Sequence, residues 1–402
     1  MKLSLKKLGP GFLFAGAAIG VSHLVQSTRA GADFGFGLLW ALLLINIVKY
    51  PFFQFGPRYA SATGESLLEG YFKMSKWVLV AYTIITFATM FTIQTAVTIV
   101  TAGIASSLFG GSSLVFWAGI IISICTFILL MGRYKALDSL MKIIVLFLTI
   151  STIIAVALAI KPSTGIDFSQ IIPSDAISIA FLIAFMGWMP APLDISIWHS
   201  VWTVEKKKLN PSITVKQSRF DFNVGYVTTT ILAIGFVSLG ALVMYGSGES
   251  FSLKGGEFAN QLINMYTHSL GNGAKIIIGI AALTTMFSTT LTTLDASPRV
   301  MQRSTELFSD KKLSKGYLFW LLVLVIGTIC IFFFFISEMG LLIKIATILS
   351  FLTAPFYAIV NYKLLTGKHT PKEARPSTIL KVYSIISIVI LLAFSVWYLS
   401  IL

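Results

Sequence analysis

The strongest constraint on the fold is a series of long apolar segments, because a membrane-spanning helix needs about 20 predominantly apolar residues. Most of these segments end at glycine, proline, asparagine or clusters of charge, which stop helices. The sequence therefore predicts an all-α integral membrane protein with about eleven transmembrane helices and no soluble domain between them. The segments, numbered here as spans 1 to 11, are residues 11–31, 36–57, 77–107, 113–131, 136–160, 175–203, 221–246, 273–297, 316–336, 340–362 and 377–401.

The amino-acid composition agrees with this prediction. Only 11% of the 402 residues are charged, whereas soluble domains carry about 25%. The mean hydropathy of +0.86 excludes soluble, disordered and nucleic-acid-binding proteins. Cys125 and Cys330 lie within separate spans, and we interpret both as buried small apolar residues without a disulfide.

The basic residues predict the orientation, since cytoplasmic loops are enriched in lysine and arginine. With a cytoplasmic N-terminus, 23 of the 30 basic residues fall in cytoplasmic segments and three in outward ones. We therefore expect a multi-pass protein of the plasma (inner) membrane, with the C-terminus outside because the number of spans is odd. The remaining four basic residues fall inside spans: Arg29, Lys49, Lys142 and Lys344.

Two spans are interrupted. Small residues fill the first half of span 1, and polar residues enter it at Ser22. Span 6 contains Pro190 and Pro192, which remove two backbone donors and disfavour a continuous helix. The two spans hold equivalent places in halves 1–160 and 161–363, with residues 364–402 adding span 11. Interrupted spans at matching positions indicate an inverted-repeat transporter with a site near the bilayer midplane.

Short motifs identify a family. They are Gly9-Pro-Gly-Phe-Leu13, Ala30-Gly-Ala-Asp-Phe-Gly35, Leu38-Leu-Trp-Ala-Leu-Leu-Leu44, Thr63-Gly-Glu-Ser-Leu67 and the pair His199-Ser200. With these motifs the chain resembles the Nramp family of divalent-metal transporters. The resemblance implies a LeuT-type fold of two inverted five-helix repeats with broken helices 1 and 6. It also implies alternating access and Mn²⁺ or Fe²⁺ as the default substrate.

The family's functional motifs are altered here. Its Asp-Pro-Gly-Asn metal motif falls on residues 20–23, which read Gly-Val-Ser-His. The family's sixth span carries a Met-Pro-His motif with a metal-binding methionine. Aligning the Met-Pro pair places this methionine on Met189, whereas aligning the His-Ser end places the motif on residues 192–194. The family's proton-relay residues are also largely lost, since span 3 has no acidic residue and span 9 no charge.

The candidate binding residues surround the two breaks. An intramembrane charge is costly, so ionisable residues there are functional candidates. His23 and Asp194 are the candidate metal ligands; alternatively, His23 bonds carbonyls of the opposite broken helix, and Asp194 pairs with Arg29 or His23. The full candidate set for the substrate is Gly20, Ser22, His23, Trp188, Met189 and Asp194.

Other polar residues have weaker assignments. Ser288, Thr289 and Thr292 can form a cation site with span 1 carbonyls, as sodium sites do in LeuT-fold relatives, or can bond back to their own helix. Arg29, with Asp33 as a partner, and Lys142 are candidates for a gate or ion pair, although Lys142 can also reach the interface. We expect a monomeric secondary transporter in the lipid bilayer, without enzymatic activity, cofactor or nucleic-acid partner. Its substrate is a divalent metal ion or, alternatively, a small organic amine or zwitterion.

Overall fold

The computed structural model describes residues 9–110, 113–131, 134–160, 166–247, 251–252, 255–271, 275–335 and 339–401. Regular structure in these ranges is helical throughout. Span 1 comprises α1 (Pro10–Ala18), a π-helical turn (Ser22–Ser27) and α2 (Thr28–Phe34). The rest of the first half consists of α3 (Leu39–Thr63), a short α4 (Leu67–Met74), α5 (Lys76–Phe109), α6 (Leu114–Leu130) and α7 (Tyr134–Ala159).

The second half begins with the other broken span. Its two parts are α8 (Ala176–Trp188) and α9 (Ile195–Leu209). The chain continues as α10 (Val215–Val243), α11 (Gly255–Leu270), α12 (Lys275–Ser309), α13 (Gly316–Phe335), α14 (Met339–Thr366), a 3₁₀ turn (Lys372–Ala374) and α15 (Thr378–Leu399). Helix α11 was not expected, because its residues alternate between polar and apolar and lack a long apolar run.

The helices confirm the expected membrane architecture. Within the described ranges, six helices are long and apolar enough to cross a membrane, and three shorter apolar helices accompany them. Together with the broken span 1 and with α12, they account for the eleven spans. Helix α12 runs to Ser309, beyond the expected end at residue 297, with Pro298 inside it. An ion pair of 2.7 Å between Arg299 and Asp295 supports this extension by joining successive turns.

Span 1 packs closely against α10. A Cβ atom on Gly31 would lie 2.0 Å from the carbonyl oxygen of Val237, so only glycine allows this approach. At the start of α1, the backbone amides of Gly9 and Gly11 donate to the two carboxylate oxygens of Asp221, at 2.9 and 2.8 Å. A carboxylate at a helix N-terminus is favourable, so Asp221 fixes the first half of span 1 to α10.

The outer helices face the surroundings of the bundle. Only 22% of the apolar stretch of α13 is buried, and the same fraction applies to α15. Cys330, on α13, is exposed whereas Cys125, on α6, is buried. The expectation that both cysteines are buried was therefore wrong for Cys330, because an apolar segment can face lipid as well as protein.

Candidate functional site

The break in span 1 lies against α12. The helix α1 ends at Ala18, and Gly20 packs on Thr289 so tightly that a Cβ atom would lie 2.7 Å from the methyl carbon of Thr289. The Thr289 hydroxyl lies 3.1 Å from the carbonyl oxygens of both Gly16 and Ile19. These carbonyls are released where the helix is interrupted, and Thr289 supplies a donor to them.

The break in span 6 holds a lysine that is not among the candidate site residues from the sequence. Lys49, on α3, is fully buried. Its ammonium nitrogen donates to the carbonyl oxygens of Met186 at 2.9 Å, Gly187 at 2.6 Å and Ala191 at 3.1 Å. Two of these carbonyls belong to the last turn of α8, and the third to the non-helical segment that follows. The sequence signal was the lysine itself, in the middle of an apolar span.

Asp194 ends this non-helical segment and is 6% exposed. It interacts electrostatically with Lys49. Among the described residues, its Oδ1 atom has no hydrogen-bond partner. Arg29 instead lies 3.8 Å from Asp33 and packs over the ring of Phe181, so the expected alternative of an Asp194–Arg29 pair was wrong.

His23 is buried, and both of its ring nitrogens are engaged. Nε2 lies 3.0 Å from the carbonyl oxygen of Thr229, and Nδ1 lies 2.7 Å from the Ser22 hydroxyl. Because a carbonyl only accepts, Nε2 carries a proton. The partner Thr229 belongs to α10, so the expected bond to the opposite broken helix was also wrong. His23 can coordinate a metal only by giving up one of these two bonds.

A small cavity of about 30 Å³ lies between the two breaks. Its walls are mainly apolar and include Trp188 and Trp198, and its polar groups include the hydroxyls of Ser22, Thr289 and Thr293. Gly20 also borders it, whereas His23, Met189 and Asp194 are not among its lining residues. The structure thus brings together only part of the expected substrate set.

The two tryptophans of the cavity differ in their hydrogen bonding. The Trp188 indole donates to the hydroxyl of Ser350 at 2.9 Å. The Trp198 indole nitrogen is buried without a hydrogen-bond partner within the described part of the chain. A buried donor left unpaired is costly, so Trp198 carries an unused hydrogen-bond donor in a residue that lines the cavity. The candidate set from the sequence includes Trp188 but not Trp198.

The hydroxyls expected to form a cation site act mainly within their own helix. Ser288 donates to the carbonyl of Thr285 at 2.8 Å, and Thr292 to that of Ser288 at 3.0 Å. Of the three, Thr289 is the one that contacts span 1 carbonyls. The side chain of Lys142 lies outside those that the structure describes.

The donor set around the breaks is poor for a divalent ion. In the described residues, no group of three or more histidine, cysteine, aspartate or glutamate side chains is placed to hold a metal ion. Hard divalent cations prefer several oxygen ligands. The backbone oxygens at the break of span 6 are already bonded to an ammonium group.

The two broken helices, packed around a cavity inside an all-helical membrane bundle, define a membrane transporter with the LeuT fold. A family model described as natural resistance-associated macrophage protein-like (Nramp) matches residues 11–400. The chain therefore belongs to the Nramp family.

Individual relatives agree with this assignment. An uncharacterised protein of Pasteurella multocida is 38% identical over 91% of this chain and 86% of its own length. The divalent metal cation transporter MntH of Yersinia pestis is 23% identical over 75% of this chain and 73% of its own.

Solved structures share the fold at low identity. The manganese transporter of Eremococcus coleocola superposes with a TM-score of 0.74 at 14% identity, over 96% of this chain and 84% of that one. MhsT in complex with L-phenylalanine superposes with a TM-score of 0.65 at 15% identity, over 96% and 98%. The same fold thus occurs in a manganese transporter and in a protein solved in complex with L-phenylalanine.

Proposed function

We propose that this protein transports a small organic solute by alternating access, rather than a divalent metal. The observation that carries the proposal is the chemistry of the cavity between the breaks. Its lining residues are mainly apolar and aromatic, the hydroxyl-bearing ones are Ser22, Thr289 and Thr293, and no carboxylate or imidazole residue is among them. Such a lining suits an organic molecule with an apolar part and a hydrogen-bond acceptor. At about 30 Å³ the cavity has room for about one water molecule, so the solute enters only when the two halves move apart.

The charge distribution supports the same conclusion. The ammonium group of Lys49 lies at the break of span 6 and is bonded to the carbonyls that a transported cation would have to approach there. Like charges repel strongly in a region of low dielectric constant. A solute that carries a carboxylate, such as a small zwitterion, meets no such repulsion, and Trp198 in the cavity wall has an unpaired N–H within the described part of the chain.

The family relationship makes the divalent metal the competing candidate, because relatives such as the MntH proteins are named as divalent metal cation transporters. For that substrate, His23 and Asp194 would have to act as replacement ligands. Both residues are close to the breaks, but His23 is bonded through both nitrogens. Metal transport would therefore require these bonds to be exchanged during the cycle.

The two inverted repeats suggest how the transport cycle proceeds. We propose that halves 1–160 and 161–363 rearrange against each other around the cavity, with residues 364–402 as an added helix. We also propose that the protein works as a monomer in the inner membrane, with the basic loops and the N-terminus in the cytoplasm. The three lysines in the last turn of α9 support this orientation, because they would face anionic lipid.

The proposal can be tested by measuring the thermal unfolding midpoint of the purified protein against small amino acids, amines and MnCl₂. A ligand of the native state raises this midpoint in a concentration-dependent manner. We expect one or more small zwitterions to raise it, and the same compounds to be taken up by proteoliposomes. Stabilisation by Mn²⁺ but by none of the organic solutes would overturn the proposal.

A further inference from the structure

We propose that the ammonium group of Lys49 is a tethered cation that occupies a cation site formed by the break of span 6. This proposal does not depend on which solute is carried. It assigns to α3 a positioning residue that holds the interrupted helix in shape.

The geometry of the contacts identifies the site. Three carbonyl oxygens converge on one nitrogen, at distances of 2.6 to 3.1 Å. Three donors are needed to satisfy three acceptors, and only the protonated amine has three N–H bonds. The contacts therefore specify the charged form of Lys49.

The surroundings of Lys49 compensate its charge. The carbonyls of Met186 and Gly187 lie at the C-terminal end of α8, where the helix dipole is negative. Asp194, on the other side of the break, interacts with Lys49 electrostatically. An isolated charge within a membrane is costly unless it is paired or hydrogen-bonded. The helix end and the carboxylate together make a fully buried lysine tolerable here.

The lysine also explains how the interrupted helix keeps its shape. A break releases carbonyls that lipid cannot satisfy, and in span 6 Lys49 supplies the missing donors. On the same helix, Gly56 packs against α9 so closely that a Cβ atom would lie 2.2 Å from the carbonyl oxygen of Ser196. Helix α3 thus holds both halves of span 6, through Lys49 on α8 and through Gly56 on α9.

The test is chemical rescue of the Lys49→Ala variant. Alanine keeps Cβ and loses the three carbons and the ammonium nitrogen, which together correspond to n-propylammonium. We expect Lys49→Ala to lower the thermal unfolding midpoint of the purified protein by about 5 °C or more, since a buried carboxylate and three carbonyls lose their partner. Propylammonium chloride should restore most of this loss, whereas choline chloride, which is too large for the site, should not.

A matched control is Lys344→Ala. Lys344 also lies inside a span but is exposed on α14, so its substitution should leave the midpoint unchanged and insensitive to propylammonium. Lys49→Met provides a second variant if the alanine protein does not fold, because methionine fills most of the same space without charge or donors.

The two Lys49 variants also define the outcomes that contradict the proposal. It is overturned if Lys49→Met unfolds at the wild-type temperature, or if propylammonium stabilises Lys49→Ala no more than the wild type. Since this readout uses no transported solute, its failure is distinguishable from a failure to find an organic substrate.

Discussion

Replacing Trp198 by phenylalanine should change stability and solute binding in opposite directions. The indole N–H of Trp198 is buried and has no partner in the described part of the chain. Burying such a donor costs about 1–3 kcal/mol. Phenylalanine removes the donor but leaves a void of about 40 Å³, which costs about 1 kcal/mol. We therefore expect Trp198→Phe to be as stable as the wild type or more stable by up to about 2 kcal/mol.

The matched control is Trp188→Phe, in the same cavity wall. It leaves a void of the same size but breaks the hydrogen bond to Ser350, whose net contribution is about 0.5–1.5 kcal/mol. We expect Trp188→Phe to be less stable than Trp198→Phe by about 2 kcal/mol or more. Because the change in volume is the same, the difference between the two variants reports on the two N–H groups alone.

Binding should respond in the other direction. A solute whose acceptor bonds the Trp198 N–H loses that bond in Trp198→Phe, and its affinity should fall by about tenfold. The assays are thermal unfolding of both purified variants and titration of each with the stabilising solute. An equal destabilisation of Trp198→Phe and Trp188→Phe would contradict the unpaired state of the Trp198 N–H. An unchanged solute affinity in Trp198→Phe would contradict its role in binding.

Three further substitutions test the packing of span 1, each by thermal unfolding of the purified protein. Gly31→Ala should destabilise the protein by about 3 kcal/mol, because the added Cβ would lie 2.0 Å from a backbone oxygen. The control Gly119→Ala, where nothing lies within 4 Å of the added atom, should be neutral or slightly stabilising. Equal effects of the two substitutions would contradict the close packing of Gly31. Asp221→Ala should cost about 3 kcal/mol of stability, since two hydrogen bonds from backbone amides to the carboxylate are lost. Asp221→Asn should cost about half as much. A wild-type unfolding midpoint for Asp221→Ala would show that Asp221 does not cap α1. Thr289→Val should cost about 1 kcal/mol by leaving the carbonyls at the break of span 1 without a donor, and an unchanged midpoint would argue against that contact.

The sequence predicted the membrane architecture because its signals are local. Apolar segments of about 20 residues define the spans, and Pro190 and Pro192 mark the break in span 6 without reference to any other helix. Helix α11 was missed because an amphipathic helix outside the spans has no long apolar run. The extension of α12 was missed because proline and charge usually end a helix, whereas Pro298 lies inside one.

The site was less predictable, because its contacts join distant parts of the chain. Lys49 bonds carbonyls 137 to 142 residues away, and no local pattern reveals that the lysine and the break meet. His23 bonds Thr229 on α10, a backbone acceptor that has no signature in the sequence. The indole of Trp198 became a candidate only when its surroundings showed that the donor is unpaired.

A shared fold does not carry a shared substrate. The chain keeps the family's fold with its broken helices, whereas the expected position of the family's metal motif, residues 20–23, reads Gly-Val-Ser-His. The cavity bordered by Gly20 and Ser22 is lined mainly by apolar side chains and hydroxyls. The positive charge at the second break is supplied by Lys49, which is part of the chain itself.

The most direct test of the proposed function is Mn²⁺ uptake into proteoliposomes, read by quenching of a trapped fluorescent dye. Wild type, Asp194→Ala and empty liposomes are compared, with uptake of the stabilising organic solute measured in the same preparation. We expect Mn²⁺ entry no faster than in empty liposomes, together with saturable uptake of the organic solute. Saturable Mn²⁺ uptake that is lost in Asp194→Ala would contradict the account and make Asp194 a replacement metal ligand.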